Sequence, residues 1–419
     1  MENDQRRQRE EDAWEARERK RDTEVHLDRI RGCLLGGAAG DALGYPVEFH
    51  RAEQITAQYG PEGIRAYALD TVSGKALISD DTQMTLFTAN GILVGQTRAA
   101  LRGMGGDIAS YAALAYRDWL RTQRLSWEQG REPGDESRKT GWSWLLDVPE
   151  LYACRAPGNT CLSAITAYDL GDGRDYGTTE RPINASKGCG GIMRVAPLAM
   201  AYRVGENYRR DQAALDQEGA ELAAVTHGHP LGWMPAAALT HILSRCLTAP
   251  EQGLWAIVRE ARAAMAALYP ENEHLGTLLG IMDRAMTLAA QGGNDRENIR
   301  ALGEGWVAEE TLGIALYCAL RYEKDFSGGI IAAVNHDGDS DSTGAVTGNI
   351  LGAYLGYHAI ERKWKRDLEL QDVILEAAED LCHGCRMQEY SSYQDPVWRR
   401  KYVHARRAQP EDQERNRAQ

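Results

Sequence analysis

A chain of 419 residues is long enough to bury a large core, as one big domain or as two ordinary ones. Aromatic residues make up only 7% of it, and its wealth of alanine, leucine and glycine favours closely packed helices over a strand-rich sandwich. A formal net charge of -13 excludes nucleic acid as the default partner, while a phosphate-bearing small ligand stays admissible because metal ions and helix N-termini override the global sign locally.

The 8 cysteines are scattered rather than spaced as a disulfide framework, which fits a reducing cytoplasm. Cys382 and Cys385 bracket His383 in a single CxxC without a second pair, and read as buried thiols near a helix end rather than a zinc site. The start of the chain is densely charged where a signal peptide needs an apolar region, and the apolar stretches are too short and interrupted to span a bilayer. The expectation is a cytoplasmic protein with no membrane partner.

Residues 1–23 interleave Glu and Arg around Trp14 and cannot bury a core of their own. Two readings stand: a solvated or frayed helix, or a partner-binding arm anchored by Trp14. Residues 24–396 then read as the folded domain and 397–419 as a charged tail. Within the domain, Arg29 to Phe49 reads as a helix in which Gly32, Gly36, Gly40 and Gly44 fall four apart, forming one bare stripe. Pro46 ends it, Asp41 reads as a polar anchor, and Glu48 follows in an exposed turn that could aim a carboxylate.

Ser79, Asp80, Asp81 and Thr82 open the next clear helix, either as ordinary caps or as a cluster of oxygen ligands. Residues 123–141 read as an exposed polar insertion, and Arg155 to Cys161 (RAPGNTC) as a turn-rich loop before another helix. In Asn184 to Pro197, NASKGCGGIMRVAP, the order of residues is not that of a Walker loop. A glycine-rich loop entering a helix still offers backbone N–H groups to phosphate, with a plain tight turn as the alternative. Thr226, His227 and His229 precede an alanine-rich helix, and residues 275–320 are helical with a break at 303–309.

The densest chemistry lies in Ile331 to Gly356, IAAVNHDGDSDSTGAVTGNILGAYLG. Asp337, Asp339 and Asp341 alternate before Ser342 and Thr343, an arrangement that is unfavourable unless a cation or a helix N-terminus compensates it. An EF-hand is excluded by counting, since Ser342 and Gly348 fall where that loop needs Gly and a bidentate Glu. From Gly344 a second stripe follows: Gly344, Gly348, Gly352 and Gly356. Four glycines in register each cost a helix roughly 1 kcal/mol, so the two stripes are expected to pack on each other and bring the chain's two ends together. The two hydroxyl–carboxylate clusters would then converge on one six-ligand oxygen site or a two-metal site.

Taken in order, GCLLGGAAGDALGYPVEF, SDDTQM, RAPGNTC, SKGCGGIMRVAP, the TH element, GEGWVAEETLGIALY and NHDGDSDSTGAVTGNILGA resemble the ADP-ribosylglycohydrolase family. The resemblance implies an all-α fold, a compact orthogonal helical bundle, with two Mg²⁺ ions in a central cleft, and hydrolysis of a glycosidic bond to ADP-ribose. By motif, Ser79, Asp80, Asp81, Asp339, Asp341 and Ser342 match the metal ligands, and Glu48 the glutamate near the scissile bond. Glu48, Asp80 or Asp81 would then handle the proton. Asn159, Gly188, Gly190, Gly191 and His227 would border the phosphates and riboses, and Asp337 receives no ligand role. The implied substrate is an ADP-ribosylated protein, modified on arginine. An alternative implied partner is an ADP-ribosyltransferase toxin, which an immunity protein would neutralise by hydrolysis and by blockade with its N-terminal arm.

Overall fold

The computed structural model describes residues 2–103, 105–131, 143–171, 175–201 and 211–403, with residues 2–21 and 131 in backbone only. All regular structure among them is helical apart from two isolated bridges, Ala76 with Leu368 and Gly188 with Val307. The helices are α1 (Glu2–Gly44), α2 (Ala52–Tyr59), α3 (Asp80–Arg102), α4 (Ile108–Arg124), α5 (Trp127–Arg131), α6 (Asn159–Leu170), α7 (Ala196–Met200), α8 (Gln212–Ala224) and α9 (Pro230–Thr248). They continue with α10 (Leu254–Leu268), α11 (Leu275–Gln291), α12 (Asp295–Arg300), α13 (Ala308–Arg321), α14 (Phe326–Val334), α15 (Ser340–Leu355), α16 (Arg362–Arg366), α17 (Gln371–His383) and α18 (Pro396–Tyr402). Among these residues no helix is long and apolar enough to cross a membrane.

The bundle is organised around α1 and α15, which meet through their glycine stripes. A Cβ on Gly36 would stand 2.5 Å from the Gly348 carbonyl oxygen, and one on Gly40, Gly44 or Gly32 would lie closer still to Gly344, Ser340 and Gly352. Side chains essentially never sit at such distances, so the backbones touch only because these positions are bare. Asn349 fixes the register by donating Nδ2 to the Cys33 carbonyl at 2.9 Å. One expected member of the second stripe is placed differently: Gly356, at φ 88°, terminates α15, and a Cβ there would meet Asp28 rather than α1's glycines.

Around this pair, α9, α13 and α14 pack on the remaining faces of α15, and α3 and α17 on α1. The core is mainly Ala, Leu and Ile, with Trp119, Tyr116 and Phe87 fully buried between α3 and α4. The insertion read at 123–141 begins inside ordered structure, since Gln123 donates to Gln83 Oε1 at 2.9 Å and α5 follows; residues 132–142 lie outside the described residues. The structure also extends packing past the boundary drawn at 396. In α18, Trp398 and Tyr402 are buried, Trp398 donating Nε1 to Thr97 at 2.8 Å and Tyr402 its hydroxyl to Asp380 at 2.6 Å. The charged sequence hid two anchoring rings spaced four apart, while residues 404–419 lie outside the described residues.

Candidate active site

The site forms where the N-termini of α3 and α15 face each other beside the end of α1. Ser79 caps α3, its Oγ accepting from the Asp81 N–H at 3.2 Å, and places Asp80 and Asp81 in the first turn. Behind them, Asp41 of α1 accepts from Ser79 N at 3.0 Å and from Thr82 N at 3.1 Å. The polar anchor read in the sequence is thus a second cap, supplied by the glycine-striped helix between Gly40 and Gly44.

Opposite, Asp339 caps α15 by accepting from Ser342 N at 3.2 Å, and Asp341 Oδ1 accepts from the same N–H at 2.8 Å. The Ser342 hydroxyl donates to Asp81 Oδ2 at 3.3 Å, joining the two clusters directly. Glu48, Asp339 and Asp341 each offer a carboxylate oxygen, all within 4.8 Å of one another. Asp337 turns away, accepting from Ala52 N at 2.8 Å and pairing with Arg300 at 3.1 Å.

Glu48 is not exposed, as its turn suggested, but 7% exposed, because the short turn Tyr45–Val47 folds it back over α15. Its neighbour Phe49 takes the outward position instead, 70% exposed.

So many buried carboxyls beside each other favour their protonated forms. Burial, then Asp341, pushes Asp41 up to about 7 and Glu48 up to about 11, with Asp339 and Asp80 adding to Glu48. The same two causes, in the same order, raise Asp80, Asp81 and Asp339 well above the carboxylate range. Among the described residues no Lys or Arg forms an ion pair with any of these side chains. Glu48 Oε2 and Asp81 Oδ1 are buried without a hydrogen-bond partner. Hard oxygen donors lacking a counter-charge are the donor set a hard divalent cation takes, so the residues present fit a metal.

A second group flanks the cluster. Arg194, buried and lying 4.4 Å over the Tyr116 ring, donates to the Thr226 hydroxyl at 2.6 Å. The same hydroxyl lies 2.8 Å from His227 Nδ1. Burial and Arg194 hold His227 down to about 3, so the ring is neutral. Its Nε2 faces the glycine loop: Cβ atoms on Gly188 and Gly190 would lie 3.3 and 3.4 Å from it. Gly191 is pinned beneath, where a Cβ would meet the Gly232 carbonyl at 2.9 Å. Asn159 stands exposed at the start of α6, next to Gly158, whose N–H donates to Asp80 Oδ2 at 3.2 Å.

Several participants were not singled out in the sequence. Cys189 donates its thiol to Asp339 Oδ2 at 2.8 Å; burial, then Asp339, pushes the thiol well above its usual range. Arg155 accepts the Asp80 N–H on its carbonyl at 3.2 Å while its guanidinium grips both oxygens of Glu369 and the Ile78 carbonyl. Ala156 beside it has φ 51°, a conformation costly for a residue with a Cβ and held by this clamp. Glu369→Gln should therefore lower stability by about 2 kcal/mol or more. It should also reduce turnover, because Asp80 loses its brace; equal urea midpoints and kcat in variant and parent would remove the clamp from the site.

The CxxC gives no metal cluster among the described residues. Cys382 is buried, Cys385 half-buried, and His383 Nδ1 is engaged with the Glu379 carbonyl at 2.8 Å.

Comparison with known proteins follows the same pattern. The ADP-ribosylglycohydrolase profile matches residues 22–391. An ADP-ribosyl-[dinitrogen reductase] glycohydrolase from Rhodospirillum rubrum is 25% identical over 83% of this chain and 92% of its own length. An ADP-ribosylhydrolase from Homo sapiens is 26% identical over 82% and 90%. An ADP-ribosylarginine hydrolase from Serratia proteamaculans is 24% identical over 87% and 81%. A solved chain titled an ADP-ribosylglycohydrolase-related protein complex superposes with a TM-score of 0.56 at 25% identity, covering 86% of this chain and 99% of that one. With its helical bundle, its acidic centre and a match spanning nearly its whole length, this chain belongs to the ADP-ribosylglycohydrolase family, hydrolases that remove ADP-ribose.

Proposed function

We propose that this protein is a Mg²⁺-dependent hydrolase that removes ADP-ribose from modified arginine in proteins, reversing mono-ADP-ribosylation in the cytoplasm. The observation that carries the reading is the meeting of the two clusters through Ser342 Oγ and Asp81 Oδ2. It makes one oxygen-lined centre from both ends of the chain. Ser79, Asp80, Asp81, Asp339, Asp341 and Ser342 would hold two ions, which when bound supply charge for orienting ribose hydroxyls and acidifying a water.

The chain's own residues account for the rest. Glu48, buried with its Oε2 unpartnered, is the carboxyl that would pass a proton to the leaving nitrogen. Asp80 and Asp81 are the alternatives for the proton of the attacking water. Neutral His227 offers Nε2, and the loop at Gly188, Gly190 and Gly191 offers backbone N–H groups, to the diphosphate and riboses. Asn159 would close the opposite border from α6. Positioning is expected to supply much of the rate, since arginine leaves poorly without assistance.

The test is release of ADP-ribose from separately prepared arginine-linked and serine-linked proteins, with and without Mg²⁺. Release from the arginine linkage only with Mg²⁺ is expected. A preference for serine would move the substrate, and release in chelator would remove the metal.

The toxin-immunity alternative draws on one feature. Residues 2–23 continue α1 without a break from Glu2, so an arm would be a helical extension of the element that carries Asp41. Removing residues 2–21 should abolish binding to a transferase toxin while hydrolysis persists; retained binding would leave hydrolysis alone.

A further inference from the structure

The chain has 3 phenylalanines. Phe87 and Phe326 are buried at 0% and 2% exposure, whereas Phe49 is 70% exposed and immediately follows Glu48. Phe49 is not alone, because its ring stacks on Trp306, itself 38% exposed, at 5.8 Å between centroids and 19° between planes. Two large rings packed on one another in water, each joined to the acidic centre by a different route, form a built surface. Phe49 is tied through Glu48. Trp306 is tied through its carbonyl, which accepts from Cys189 N at 3.2 Å, and through Glu304, whose carbonyl accepts from Asp339 N at 2.8 Å.

We propose that Phe49 and Trp306 form the platform for the side chain that carries ADP-ribose, and that they select a flat cation, the guanidinium of modified arginine, over a neutral hydroxyl linkage. The proposal rests on the reading of the site given above. A planar cation suits the surface for two reasons. Aromatic faces attract guanidinium groups, and guanidinium stacks where ammonium does not. The half-exposed side chain of Glu304, on the same loop as Trp306, pairs with Arg51 across 3.8 Å at the surface, an ion pair weak enough to exchange for a substrate guanidinium. The rings stand too close together to admit a third plane, which needs about 7 Å. The occupant therefore stacks on the outer face of Phe49, next in sequence to Glu48.

Kinetics on two probes test this: ADP-ribosylated agmatine, whose linkage is a guanidinium, and a serine-linked ADP-ribosyl peptide. In Phe49→Ala and Trp306→Ala, the preference for the agmatine probe, as a ratio of kcat/KM values, is expected to fall about ten-fold, chiefly through KM. Phe49→Leu should fall with them, and Phe49→Trp should keep the preference. Equal losses on both probes, or recovery in Phe49→Leu, would overturn the platform while leaving the hydrolase reading intact. Parent protein that releases ADP-ribose from neither probe would overturn the hydrolase reading and the platform together.

Discussion

Gly40→Ala and Gly348→Ala are each expected to lose most of the native stability, with urea midpoints collapsing or soluble protein failing to accumulate. One methyl group is a small change, but on Gly40 it would point into the Gly344 carbonyl, and on Gly348 into that of Gly36. Backbone atoms cannot rotate away as a flexible side chain can, so α1 and α15 must separate along the seam. Separation exposes the core on both sides and parts Asp41 from Ser79 and Thr82. A cost of at least about 3 kcal/mol per site follows, at the upper end for one substitution. Gly280→Ala is the contrast. Gly280 is exposed within α11, and a Cβ there meets nothing within 4 Å, so helix propensity decides and stability should rise by about 0.5–1 kcal/mol. Equal urea midpoints for Gly40→Ala and the parent would mean that the seam tolerates bulk.

Asp341→Asn should lower release of ADP-ribose by about 10³-fold or more and at the same time raise the Tm of chelator-treated protein. Asp341 is the second-largest cause, after burial, of the upward shifts at Glu48, Asp41, Asp80, Asp81 and Asp339. Asparagine keeps an oxygen for the Ser342 N–H and removes the charge. The sign of the pH effect follows from linkage. An acid whose value is raised on folding holds its proton more tightly folded than unfolded, so stability falls as pH rises between the two values. For Asp41 that window runs from 3.8 to about 7, and for Glu48 from 4.5 to about 11. Chelated parent protein should therefore melt at lower temperature at pH 8 than at pH 5, and Asp341→Asn should narrow the gap. A chelated Tm that is flat across this range, or lower in the variant, would show that repulsion in the cluster is already relieved.

What the sequence makes legible is what local spacing encodes. Four-residue glycine spacing reports a helix face without reference to any partner, and two such faces in one chain suffice to pair α1 with α15. Ser79, Asp80 and Asp81, like Asp339, Asp341 and Ser342, are legible because the oxygens sit at helix starts. Arg155 with Glu369 and Phe49 with Trp306 are not legible, since each is a single contact between distant segments with no periodicity. Glu48's burial is likewise a property of what lies above the turn, not of the turn. Trp398 and Tyr402 were masked by the charges between and after them.

The register bond from Asn349 to Cys33 joins residues 316 positions apart, and that separation governs how the molecule comes into being. Loop closure across such a span is slow, and α1 has no mate until α15 has left the ribosome. A nascent chain therefore holds one bare-glycine helix exposed through most of its synthesis, a demand on chaperones. It also owns only Glu48, Ser79, Asp80 and Asp81, half of a centre, until its last fifth or so emerges. Hydrolytic competence should switch on late and abruptly, as a readout that both ends of the polypeptide are present and joined.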